Sequence, residues 1–365
     1  MKRVAVFFGG QSVEHDISII TGVLTANSID KKYEVIPIYV NRSGEFYTGK
    51  NLLDPDGYKD LDYKKLKKVT LLPSSNFLFE VKNKRLKPIS EIAVAINCMH
   101  GEKGEDGTLS ALLNLSNIPL ASPNIVGSAI CMNKSITKIM LKGLNIPCLE
   151  YAVATDIISA VSAEKLSYPL IVKPTTGGSS IGVSKAKDRR ELEFATAEGL
   201  RYSESVIIEP LLENFIEINC ACFLDADGNL VVSECEKPIG KEEVLTFSDK
   251  YENGKREFPA KIDKETEKTI KKLTAKIYRE LEFKGVIRID YFVKDKKVYV
   301  NEINTVPGSL AYYLFCSSTA EFAKMLTEMI EFSLVSFNKA SSIIKTFNSN
   351  IISSLRPKGS KNLRK

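Results

Sequence analysis

The chain has 365 residues, 44% of them hydrophobic and 26% charged, which gives an ordinary apolar share and the length for two or three domains. Its net charge of +6 is concentrated. Residues 332–365 carry seven Lys and Arg and no acid, which leaves residues 1–331 at −1 and excludes the basic stripe of a nucleic-acid-binding body. No run approaches the ~20 apolar residues of a membrane span.

In chain order, Val4–Phe8 is continuously apolar, as in a buried parallel strand. A Gly9-Gly10 turn follows, then helical spacing through Ile17, Ile20, Val23 and Leu24. Val35–Val40 is a second strand, in which Pro37 predicts a place near a sheet edge. Residues 41–90 are polar, Lys-rich and weakly patterned. Ile92–Asn97 reads as another buried strand, and Thr108–Leu115 as a helix. This β-loop-α-β order predicts an open α/β sheet. Val126–Leu144 has helical spacing, Leu170–Val172 and Val206–Ile208 are short strands, and 264–282 is a charged amphipathic helix. Longer strands are expected at Ile216–Leu224, Leu230–Glu234, Val286–Val293 and Val298–Ile303. The seven cysteines form no CxxC and read as reduced thiols in a cytoplasmic protein. The short Val4–Phe8 run is too brief for a signal sequence.

The densest chemistry is Arg288-Ile-Asp290 followed by Asn301-Glu302-Ile-Asn304. Strand side chains alternate, so Arg288 and Asp290 share one face, as do Glu302 and Asn304. A three-residue loop at 295–297 would pair Lys294 with Val298, Asp290 with Glu302 and Arg288 with Asn304. A two-residue loop would put the two pairs on opposite faces. In the first register two carboxylates and an amide oxygen converge as hard ligands for Mg2+, with Arg288 beside them to neutralise developing charge. The competing reading is a solvent-facing hairpin with scattered charges. A second motif, Lys173-Pro-Thr-Thr-Gly177-Gly178-Ser179-Ser180-Ile-Gly182, follows a strand and has the loop character that wraps phosphate. It is not a Walker A loop, because Val183 stands where Lys is required. The two histidines, His15 and His100, both sit in loops after apolar strands, where open α/β sheets bind ligands. A structural role for each is the plainer alternative. The chain has no HExxH and no GxGxxG.

Taken in order over roughly residues 4–314, the segments FFGGQSVEHDIS, HGEKGEDGT, CMNK, IVKPTTGGSSIG, SDKY, IRIDYF and NEINTVPG resemble the D-alanine–D-alanine ligase family of the ATP-grasp superfamily. The resemblance implies an α/β protein, α+β in its C-terminal lobes, with the ATP-grasp fold. An N-terminal open parallel α/β domain (1–121) would precede a central lobe (122–212), a C-terminal lobe with Mg-binding strands (213–340) and a basic tail (341–365). It implies ATP as co-substrate, two Mg2+ ions with Mn2+ able to substitute, D-alanine as substrate and a homodimer. Lys134 and Lys173 are similar to the lysines that hold ATP phosphates, and Glu209 and Leu212 to the adenine-contacting segment. Glu217 resembles the ribose-binding Glu, one residue further from Glu209 than is usual. Asp290, Glu302 and Asn304 match the metal ligands, while Arg288 and the Gly308 amide match the groups that stabilise the tetrahedral intermediate. Glu14 matches the residue that takes the first substrate's ammonium, and His100 one beside that substrate's carboxylate. Glu14, Ser179 and Tyr251 match a hydrogen-bonded triad reaching a lid to which Lys250 belongs. Residues 240–260 are expected to be mobile without nucleotide.

The sequence departs from the family at the second substrate. Where a Ser-Leu pair is usual, it has Tyr313-Leu314, and Ser309 and the Tyr313 hydroxyl are the candidates to replace the missing Ser. An acceptor such as D-serine, or a non-catalytic nucleotide-binding homologue, therefore stands beside the D-alanine reading. Tyr251 favours an amine over a hydroxy acid as acceptor. The tail reads as a solvated extension, with RNA or anionic lipid as the alternative contacts.

Overall fold

The computed structural model describes residues 1–239, 255–349 and 351–354. The N-terminal sheet holds β1 (Lys2–Gly9), β2 (Tyr33–Val40), β3 (Phe46–Thr48), β4 (Lys67–Leu72), β5 (Ser75–Lys82), β6 (Arg85–Glu91) and β7 (Val94–Asn97), in the order β6-β5-β4-β3-β2-β1-β7. β2, β1 and β7 run parallel, and β3 to β6 extend them as an antiparallel meander. Residues 41–90, unpatterned in the sequence, thus supply more than half of this sheet. From Val4 onward β1 is apolar, because both of its faces are covered there. Val4, Val6 and Phe8 pack in one core cluster, and Ala5 and Phe7 in another. Pro37 does not mark an edge: β2 lies between β1 and β3. The proline is tolerated because the short ladder to β3 begins at Ile38, one residue later.

Helix α1 (His15–Ser28) crosses β1 closely at Gly22, where an added Cβ would lie 2.2 Å from Phe8 Cβ. α2 (Thr108–Leu115) follows the His100 loop. The helical run after Pro123 is broken into α3 (Ile125–Met132) and α4 (Lys134–Gly143). Asn133 makes the break: its side chain accepts hydrogen bonds from the amides of Ser135 and Ile136, capping α4 so that Lys134 opens it.

A four-stranded sheet follows, β10-β9-β11-β8, built from β8 (Ala152–Ala154), β9 (Leu170–Pro174), β10 (Ser184–Ala186) and β11 (Val206–Pro210). α5 (Ile157–Ala160) and α6 (Arg189–Gly199) pack beside it. A third sheet has the order β13-β12-β16-β17, with β12 (Ile216–Leu224), β13 (Leu230–Val232), β16 (Ile287–Lys294) and β17 (Lys297–Asn304). β14 (Lys237–Ile239) and β15 (Lys255–Glu257) pair separately. α7 (Lys264–Glu280) buries Ile270, Ile277 and Tyr278 in the same cluster as Ile287, Ile289, Tyr291 and Ile303. The long α8 (Thr319–Ser341) returns to the N-terminal domain, where Phe322, Met325 and Ile330 join Val4 and Phe8 in one core.

Candidate active site

The β16–β17 hairpin decides whether the carboxylates meet, and it does so by a route the sequence reading did not foresee. Of the two loop lengths left open by the sequence, the two-residue one is found, with Lys294 paired to Lys297. Asp295 and Lys296 both take positive φ, 48° and 62°, as a tight hairpin turn demands. This register alone would separate the two pairs. A bulge at Asn301 then shifts the ladder by one, so that Asp290 faces Glu302 and Arg288 faces Asn304 after all.

On that face Arg288 grips Asp290 with two bonds, Nε to Oδ1 at 2.7 Å and Nη2 to Oδ2 at 2.9 Å. Asn304 Nδ2 donates to Asp290 Oδ2 at 3.0 Å. Burial works against the guanidinium's charge, but Asp290 beside it holds the Arg288 pKa well above its usual range. Lys134 Nζ stands 3.4 Å from Glu302 Oε1 and donates to Gly177 O at 2.6 Å. Asp290, Glu302 and Asn304 offer two carboxylates and an amide oxygen, a set that fits a hard divalent cation. Among the described residues no cluster of three His, Cys, Asp or Glu is placed to hold a metal ion.

One side of the hairpin face borders a cleft lined by Leu149, Ile171, Leu211, Leu212, Phe215 and Phe292, with Lys134, Lys173 and the 176–181 glycine loop at its polar end. Glu209, Glu217, Asp290 and Glu302 also line it. Lys173 Nζ pairs with Glu209 Oε2 at 2.7 Å and donates to Asn301 Oδ1 at 3.3 Å. Lys138, which no motif pointed to, is buried against Glu209 Oε1 at 2.5 Å. Burial alone would raise the Glu209 pKa, but the two ammonium groups, Lys173 foremost, hold it down to about 2.

The other side borders a second cavity of about 480 Å³, lined by Glu14, His100, Glu105, Glu217, Arg288, Asn304, Gly308, Ser309 and Tyr313 among others. Ser179 donates a short hydrogen bond to Glu14, tying the glycine loop to the first loop. Lys250 and Tyr251 lie outside the described residues, as does most of the expected lid. His100 is buried and bonds Thr21 Oγ1 through Nε2 at 2.9 Å, and burial lowers its pKa. Thr21 Oγ1 also accepts from Ser309 N at 3.0 Å. That bond helps to hold Ser309, Leu310 and Ala311 in a left-handed turn, with φ of 50°, 51° and 49°, a conformation costly for side chains with a Cβ. Tyr313 faces the cavity and accepts from Arg288 Nη1 at 3.3 Å. Leu314 does not face it: it is 2% exposed and packs with Leu310 and Ala311 in the N-terminal core. His15 is structural, bonded to Gly10 O at 2.6 Å and Tyr39 OH at 3.1 Å.

Glu105 was missed by motif reading. Its carboxylate accepts from Gly101 N at 2.8 Å and from Val306 N at 3.1 Å, joining the His100 loop to the segment before Gly308. Burial first, then the neighbouring Glu14, pushes its pKa up to about 8.

Two antiparallel lobes around a lysine-lined cleft, set on an N-terminal α/β domain, define the architecture of an ATP-grasp ligase. Comparison with known proteins makes the assignment specific. The model described as D-ala D-ala ligase N-terminus matches residues 3–123, and that described as D-ala D-ala ligase C-terminus matches 141–331. The D-alanine–D-alanine ligase of Thermosipho melanesiensis is 38% identical over 348 residues, covering 92% of this chain and 95% of the relative. The crystal structure of the Helicobacter pylori D-alanine–D-alanine ligase superposes with a TM-score of 0.75 at 29% identity, covering 95% of this chain and all of that one. The Bacillus anthracis ligase complexed with ATP gives 0.69 at 26% identity, covering 93% and 100%. This chain belongs to the D-alanine–D-alanine ligase family.

Proposed function

We propose that this chain uses ATP to join two D-alanines into D-alanyl-D-alanine, the dipeptide of peptidoglycan synthesis. The observation that carries the reading is the shared wall. One hairpin face presents Asp290 and Glu302 to the lysine-lined cleft, and Arg288 and Asn304 to the cavity holding Glu14 and His100. A phosphoryl donor in the cleft and an amino acid in the cavity would therefore meet across it.

A carboxylate does not condense with an amine in water, because oxide is a poor leaving group. In the cleft, Leu212 and Phe215 flank the base, Glu209 and Glu217 serve the nucleoside, and Lys134 and Lys173 screen the phosphates. Glu14 takes the ammonium of the first D-alanine and His100 borders its carboxylate. A carboxylate oxygen attacks the γ-phosphorus, ADP leaves and an acyl phosphate forms. The neutral amine of the second D-alanine attacks the acyl carbon and loses a proton, and phosphate departs. Arg288 and the Gly308 amide stabilise the oxyanion between those events. Asp290, Glu302 and Asn304 would hold two Mg2+ ions, which when bound neutralise phosphate charge. Ser179 and the glycine loop keep water from the acyl phosphate. Seven free cysteines support a reducing, cytoplasmic setting, and the family resemblance supports a homodimer. No described helix is long and apolar enough to cross a membrane.

Phosphate release from MgATP is the test, with D-alanine, L-alanine or no amino acid, and the product identified by mass. Release with D-alanine alone, yielding the dipeptide, is the expected result. Release only when D-serine or another small amino acid is added would replace the acceptor. No release under any condition would overturn the catalytic reading.

A further inference from the structure

The second amino acid must present a neutral amine near Arg288 and Gly308, and its own carboxylate then needs a cation elsewhere in the cavity. Arg288 is not that cation, since two of its nitrogens are committed to Asp290. Across the cavity stands Arg256, on β15, immediately beyond the undescribed segment. Its guanidinium carbon lies over the Tyr313 ring, 4.6 Å from the centroid and within cation–π range. Its Nη1 donates to Glu236 Oε1 at 3.3 Å, and Glu236, only 4% exposed, receives Asn219 Nδ2 on its other oxygen. One edge of the fork is thereby anchored by a buried acid, and the Tyr313 ring lies against its carbon. A guanidinium has five N–H donors, more than this anchor uses.

We propose that Arg256 receives the carboxylate of the acceptor amino acid, and that Tyr313 acts as the platform that orients it. This rests on the ligase reading above. It explains how Tyr313 is accommodated at the acceptor site: its ring supports a cation from the facing hairpin, and that cation makes the carboxylate contact. Tyr313 OH, held by Arg288, links this anchor to the reacting centre.

A competition between acceptors tests the contact in isolation. The enzyme is given MgATP, D-alanine and D-alaninamide together, and the ratio of D-alanyl-D-alanine to D-alanyl-D-alaninamide is read by mass. Both products share the nucleotide and the first substrate, so the ratio reports only acceptor selection and is insensitive to the fraction of folded enzyme. Arg256→Met should shift the partition toward the amide by roughly 10- to 100-fold, the value of a hydrogen bond to a charged group. The acceptor KM should rise while the KM for ATP stays fixed. Arg256→Lys, which keeps the charge but loses the fork and much of the stacking, should shift it less and serves where the Met variant is poorly folded. A partition in both variants equal to that of the wild type would overturn the proposal and reduce Arg256 to a structural partner of Glu236. A wild-type enzyme that makes no dipeptide would overturn the ligase reading and this proposal with it.

Discussion

Glu209 is a carboxylate almost sealed from water, and its charge survives because two lysines face it. Lys138 lies at 2.5 Å and Lys173 at 2.7 Å. Removing one partner of such a buried pair costs far more than the pair contributes, since the remaining charges are left in low dielectric. The pH dependence follows from the sign of the shift. The folded-state pKa is held at about 2, below the usual 4.5, so the folded protein binds fewer protons than the unfolded chain between those values. The stabilisation is full above 4.5 and is lost as the pH falls toward 2. Glu209→Gln should therefore cost about 3 kcal/mol at pH 7, and the gap from wild type should narrow as the pH drops below 4.5. Denaturant melts at pH 7 and pH 3 measure this, and an equal gap at both would refute the pairing. Nothing in the sequence singled out Lys138. It is the second lysine of Lys134-Ser-Ile-Thr-Lys138, one helical turn past a motif residue, and only the fold brings it to Glu209. Glu105 stood inside a recognised motif, yet its link to Val306 joins residues 201 positions apart.

At the scale of elements, the β16–β17 hairpin is the informative case. Side-chain alternation left two registers open, one for each loop length, and only one of them brings the pairs face to face. A two-residue turn and a bulge at Asn301 together restore the register that a three-residue turn alone would have produced. Hydrophobic pattern explains why the facing register is restored. Ile287, Ile289, Tyr291 and Ile303 must all reach one core, so the ladder has to slip wherever the loop requires. The turn itself is suboptimal, because Lys296 holds φ 62° with a Cβ present. Lys296→Gly should raise stability by about 0.5–1 kcal/mol, the relief of left-handed strain net of glycine's chain entropy. Thermal melting should move upward while ligase kinetics stay at the wild-type value, and a lower melting temperature would contradict the assigned turn. The meander of β3 to β6 was illegible for a different reason. Its strands are half-exposed, so no strict alternation marks them, and short turns such as Asn83-Lys84 at positive φ give only weak signals.

For the whole molecule, the site exists only where separate parts meet. Ser179 reaches Glu14 from the glycine loop, Val306 reaches Glu105, and Ser309 reaches Thr21. A nucleotide that bridges the cleft should bind the folded state alone and stabilise it by mass action, by about 2.7 kcal/mol at a hundredfold excess over Kd. The tail stands apart from this assembly: Ile344, Phe347 and Ile352 are all more than 85% exposed, and the family match ends at residue 331. A chain ending after residue 342 should keep both its nucleotide-induced thermal shift and its ligase activity. Loss of either would assign the tail a part in the site.

The sequence by itself determined the class of chemistry through the ordered set of segments it shares with the D-alanine–D-alanine ligase family; no single loop or strand motif fixed it. It also determined which faces are core, through apolar periodicity. The tertiary structure alone decided which charges meet. The Lys138–Glu209–Lys173 cluster, the Glu105 bridge, the bulge at Asn301 and the stack of Arg256 on Tyr313 each join chain segments that the sequence keeps apart or leaves unregistered. Electrostatic interactions depend on separation and burial, and folding sets both.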